Sequence, residues 1–75
     1  MKSLCDLNVG DHAFVYKIMS KDDMRQRFLD IGLIENTSVE CVGQSPAGDP
    51  KAYLIRGAVI AIRNDDAKDI LIKEE

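Results

Sequence analysis

Several things are scarce in this sequence of 75 residues. It has no tryptophan, two tyrosines, two phenylalanines, two prolines, two cysteines and one histidine. So few aromatic rings argue against a groove for proline-rich peptides, since such grooves are lined with them. Cys5 and Cys41 stand far apart, without the paired spacing of a zinc site or a disulfide framework, and they read as reduced cytosolic thiols. No apolar run approaches the roughly 20 residues that a spanning helix needs. The opening Met1-Lys2-Ser3-Leu4-Cys5-Asp6 has no signal-peptide h-region, so a cytoplasmic location is expected. An excess of positive charge is also missing. The formal net charge is −3, with 10 basic residues scattered among 13 acidic ones. Phosphate binding needs clustered Lys and Arg, so nucleic acid is disfavoured as the main partner, and so is direct insertion into a membrane.

The chain is also short. One domain, residues 1–75, is the expectation, and its core is thin, since a chain of this size buries only roughly 60% of its unfolded surface. A large interdomain cleft and a dinucleotide-binding βαβ array are excluded on length. The 45% hydrophobic and 31% charged content marks a soluble globular domain rather than a disordered one.

The order of elements is legible. Leu4 and Leu7 form a lead-in that tucks under the domain, and Gly10-Asp11 turns into a strand over 12–18. In it Ala13 and Val15 share one face, and Ile18 breaks the parity, which places a bulge or the strand end near Lys17. Ser20 offers an N-cap, with Asp22 and Asp23 favouring the positive end of the helix dipole. The helix runs from about Lys21 to Ile31. Met24, Phe28 and Ile31 form an apolar stripe that Leu29 widens, while Arg25, Arg27, Gln26 and Asp30 face water. Gly32 reads as the left-handed C-terminal cap.

Glu35-Asn36 is a turn, because Asn tolerates positive φ. A strand follows over 37–42 with Val39 and Cys41 inward, then a turn-rich loop from Gly43 to Pro50. Lys51–Ile55 and Ala58–Arg63 are strands joined by a tight Arg56-Gly57 hairpin turn. Asn64–Ala67 makes a turn or one helical turn, and Asp69–Ile72 closes the domain. Five short strands with one short helix between the first two describe a mainly β fold, a small closed or half-closed antiparallel barrel with an inserted α-helix.

Leu4-x-x-Leu7-x-x-Gly10, Arg25-Gln-Arg-Phe-Leu-Asp-Ile-Gly32-Leu33, Ser45-Pro-Ala-Gly-Asp-Pro50 and Ile60-Ala-Ile-Arg63-x-Asp-x-Ala67-x-x-Ile70 occur in that order. Together they resemble the FeoA family, small cytosolic accessory proteins of bacterial ferrous-iron uptake. The likeness covers nearly the whole chain. It implies an SH3-like β-barrel and association with the cytosolic side of a FeoB-type membrane ferrous-iron transporter, which carries a GTP-binding domain. Where the family usually has Pro-Gly after the helix, this chain has Glu35-Asn36. A similar domain ends some iron-dependent repressors, but this chain has no room for their helix-turn-helix.

The candidate sites are few. Cys5, His12 and Cys41 are the only soft or imidazole ligands. A small metal-sensing module that weakly holds a divalent transition metal such as Fe2+ is therefore the alternative reading, although Cys41, inward beside Val39, suits the core better. His12 has no serine or cysteine partner for nucleophilic catalysis. The pairs Asp22-Asp23 and Asp65-Asp66 suit a cap and a turn better than acid–base chemistry, so no enzyme is expected. The Gly48-Asp49-Pro50 loop lacks the pattern of a phosphate loop. The helix is the best interaction element, with Arg25, Arg27, Asp30 and Leu33 as its candidate partner-binding residues. A generic peptide-binding adaptor is a further alternative.

Overall fold

A two-residue turn organises the second half of the chain. Arg56 (φ 50°) and Gly57 (φ 84°) both take left-handed conformations, the backbone of a tight turn whose twist matches its flanking strands. In a computed structural model, which describes residues 2–73, that turn joins β3 (Lys51–Ile55) to β4 (Ala58–Ile62). Three further strands complete the sheet, β1 (His12–Ile18), β2 (Ser38–Gln44) and β5 (Ile70–Lys73). All neighbours are antiparallel, in the order β4-β3-β2-β1-β5. Of the closed and half-closed barrels compatible with the sequence, this is the open form, because β4 and β5 are edges that do not pair with each other among the described residues. Register shifts at Val15/Lys17 and Cys41/Gly43 mark the bulges that bend β1 and β2. The second bulge also carries β2 past Gly43 to Gln44, beyond its expected end.

The core is built from the inward side chains of these strands. Val15, Val39, Cys41, Tyr53, Ile55 and Ile70 are all at most 1% exposed. Leu4 and Leu7 join them from the lead-in, a 3-10 turn over Leu4–Asp6. Lys51 fastens that lead-in to β3, since its Nζ donates to the carbonyls of Cys5 and Leu7, each at 2.8 Å. Tyr53 is the largest fully buried side chain, and its hydroxyl donates to the Leu4 carbonyl at 3.3 Å. Burial, with the neighbouring Cys41 and Cys5 as smaller causes, raises its phenol above the ordinary value. The loop before β3 is also stapled. The Asp49 carboxylate accepts from the backbone N–H of Asn64 at 3.0 Å, where α2 (Asn64–Ala67) begins.

Helix α1 covers Asp22–Asp30. Its N-cap is Lys21 and not Ser20, which corrects the sequence reading. Asp22 turns through a left-handed φ of 53°, so the helical register starts one residue later. The buried Ser20 hydroxyl meets no hydrogen-bond partner among the described residues. At the other end Gly32 takes φ 85°. Its N–H donates to the Leu29 carbonyl at 3.0 Å, and the Leu33 N–H donates to that of Phe28 at 2.9 Å. This pair of bonds is a Schellman motif, which satisfies carbonyls that the helix end leaves open. It also shortens the apolar stripe. Phe28 is buried and Met24 half-buried against the core, but Ile31 leaves the helical path at the C-cap and is exposed, as is Leu29.

Two predictions follow from this packing. Phe28→Ala should cost about 3–5 kcal/mol in urea unfolding, the usual loss for a buried aromatic ring. A change near zero would place the helix on a different face. The raised phenol of Tyr53 sets a pH dependence. Because the folded phenol resists ionisation, its stabilising effect is complete below about pH 10, where the unfolded phenol is neutral, and falls as pH rises above that. Urea melts between pH 8 and about pH 11 should show this decline, and Tyr53→Phe should remove that part of it.

Candidate docking surface

Three of the four candidate residues lie on the surface of α1. Arg25 is exposed but tethered, its Nη1 donating to the Ile18 carbonyl at 3.1 Å, so it ties the helix to the end of β1. Asp30 accepts from Gln26 Nε2 at 2.8 Å one turn away. Arg27 is exposed. Leu33 is the correction. It is completely buried, because the residue after the left-handed Gly32 folds back beneath the last helical turn, where it meets Phe28 in the core. It presents no surface to a partner.

The structure places a groove on each side of α1. One, about 500 Å³, runs between the helix and β1, lined by Tyr16, Lys17, Arg25, Leu29, Ile34 and Glu35 among others. The other, about 320 Å³, runs between the helix and the edge strand β4, where Met24, Arg27, Ile31, Ile60, Ala61 and Arg63 contribute. Arg25 and Arg27 thus border different grooves. The exposed apolar residues Tyr16, Leu29, Ile34 and Val59 were not singled out as surface features in the sequence. One signal was available for Val59, which is apolar at the outward phase of a strand whose inward phase is Ile60 and Ile62.

The soft ligands remain apart. Cys5 Sγ lies 3.0 Å from Ser3 Oγ. Cys41 is buried, with Sγ 3.6 Å from the Gly43 carbonyl. His12 packs edge-on against Phe14, with centroids 5.9 Å apart. Among the described residues no group of three or more His, Cys, Asp or Glu side chains is placed to hold a metal ion.

The division into core and surface is directly testable. Leu33→Ala should lose about 2–5 kcal/mol in urea unfolding. Its neighbour Ile34→Ala, 44% exposed, should lose under about 1 kcal/mol. Equal losses would contradict the burial of Leu33.

The comparisons with known proteins agree with this architecture. The family description "FeoA domain" matches residues 2–74. The Fe(2+) transport protein A/Fe(2+) transporter FeoB fusion protein of Porphyromonas gingivalis is 27% identical over 70 residues. Those residues are 93% of this chain, which spans 8% of the fusion's length. The solution structure of a FeoA-like protein from Clostridium acetobutylicum superposes with a TM-score of 0.87 at 29% identity, covering 97% of this chain and 85% of that one. A zinc complex of FeoA from Stenotrophomonas maltophilia, described as a prokaryotic SH3 domain protein, shares the fold, with a TM-score of 0.86 at 21% identity over 97% of this chain and 91% of that one. This chain belongs to the FeoA domain family, and its five antiparallel strands with an inserted helix are that family's SH3-like fold.

Proposed function

We propose that this chain is a non-enzymatic accessory protein of ferrous-iron uptake that docks, from the cytoplasm, on the cytosolic part of a FeoB-type GTPase-containing transporter. The observation that carries the reading is the Porphyromonas gingivalis fusion, in which a region similar to this chain and a FeoB transporter occupy one polypeptide. A tether of that kind makes association intramolecular and raises effective concentration without any new contact. Where the two proteins are separate chains, a complementary surface has to supply the association. The exposed side of α1, bordered by a groove on each flank, is the surface offered.

On this reading, ferrous iron is the transporter's cargo. The accessory chain acts by binding one conformation of the transporter better than another, which is the only way a partner shifts such an equilibrium. No described helix is long and apolar enough to cross a membrane, which suits a chain that meets the transporter outside the bilayer.

Calorimetric titration against the purified cytosolic region of the transporter, under reducing conditions, tests the reading. Saturable binding is expected. Arg27→Glu should weaken it about tenfold at low salt while leaving the melting temperature nearly unchanged, because Arg27 is an exposed rim charge. Absence of binding by the unaltered protein would overturn the proposal.

A further inference from the structure

The two edges of the sheet are treated differently. Along the outer edge of β5, the Ile72 N–H donates to the Lys2 carbonyl at 3.0 Å. Ser3 also bridges to Leu71. That edge is therefore covered by the lead-in. Along β4 nothing comparable occurs among the described residues. Ile55 and Ala58 close the two-residue hairpin and form a bonded pair. Alternation along the register then makes Tyr53–Ile60 and Lys51–Ile62 bonded pairs as well. The pairs Leu54–Val59 and Ala52–Ala61 are of the other kind, so the N–H and C=O groups of Val59 and Ala61 point away from β3 into the open edge.

Proteins ordinarily guard such an edge with lysine, proline, an inward charge or a bulge. Ala58-Val59-Ile60-Ala61-Ile62 has no charge and no proline, and its register with β3 runs without a shift. Val59 is 64% exposed, the largest exposure among the large apolar residues described. The edge also forms one wall of the 320 Å³ groove, whose other wall is α1 with Met24 and Ile31. Two exposed arginines, Arg27 and Arg63, line this groove beside Asp66. Neither guanidinium has an ion-pair partner among the described residues.

We infer that β4 is a strand-addition site for an extended, apolar, carboxylate-bearing segment of a partner protein. Its backbone would pair with Val59 and Ala61, its apolar side chains would enter the groove against Met24 and Ile31, and its acid would meet Arg27 and Arg63. Main-chain bonds supply affinity in this mode, and the pockets for alternate side chains supply selectivity. Charge selects the occupant, since the β4 of a second copy carries no carboxylate to offer the two arginines. The inference deepens the docking reading and rests on it, with the partner segment belonging to the transporter's cytosolic region.

The test uses the full chain and that purified region. Amide hydrogen exchange of the unaltered protein should show Val59 and Ala61 slowed about tenfold or more on binding, as new ladder bonds require. Ile60, already bonded to Tyr53, should change little. Val59→Pro removes one outward N–H without breaking the β3 ladder. It should keep its melting temperature and lose affinity about tenfold or more, and rising salt should weaken the unaltered complex. If Val59→Pro does not fold, the exchange measurement decides alone. Binding with unchanged exchange at Val59 and Ala61 would overturn strand addition and leave the docking reading intact. No binding by the unaltered chain would overturn both. Protection of the same amides in the absence of the transporter, increasing with protein concentration, would assign the edge to a second copy and overturn the inference.

Discussion

The carbonyl of Gly32 accepts the Arg56 Nε–H at 2.8 Å and the Thr37 hydroxyl at 3.2 Å. Those two donors come from the β3–β4 turn and from the residue that precedes β2. The same Thr37 hydroxyl accepts the Ile34 N–H at 3.0 Å. One backbone group thus holds together the end of the helix, the start of a central strand and the hairpin at the sheet's edge. The arrangement depends on glycine twice. A left-handed φ costs a residue with a side chain about 1–2 kcal/mol, and a Cβ at this position would lie 2.5 Å from Arg56 Cδ and 2.8 Å from its Nε. A helix of nine residues is too short to persist alone in water, so it stands where this cap and Phe28 hold it.

The proposed docking surface follows from that constraint. Because the cap turns Leu33 inward, the helix is anchored along a narrow line at Phe28 and Met24. Its flanks at Leu29 and Ile31 stay exposed, and each borders a groove. A longer helix with a wider buried stripe would have closed both. The small core described by Leu4, Tyr53 and Ile70 thus leaves a surface richer in apolar groups than a charge of −3 on 75 residues suggests.

Much of this was legible from residue pattern. Strand phase put Ala13 and Val15 on one shared face, and Val39 and Cys41 inward, because side chains alternate across a sheet. Gly32, Asn36 and Arg56-Gly57 announced left-handed turns because few residues tolerate that backbone. What pattern could not supply was where local geometry overrides periodicity. Ser20 has the chemistry of a cap, yet a left-handed Asp22 moves the helix start past it. Thr37 has the composition of a strand, yet its hydroxyl is used at the Gly32 cap. Leu33 sits three residues after the last helical residue, Asp30, and only the Schellman turn decides that it is buried. The grooves are equally invisible to a linear reading, since each is lined from elements far apart in sequence.

The central claim is that this FeoA-family chain acts through the surface around α1 and β4. Chemical-shift mapping of the nitrogen-15-labelled protein with the transporter's cytosolic region tests it most directly. Shifts should concentrate on Arg27, Ile31 and Val59–Arg63 and leave the β5 edge unmoved. Shifts confined to Cys5, His12 and Cys41, or none at saturating concentration, would contradict it.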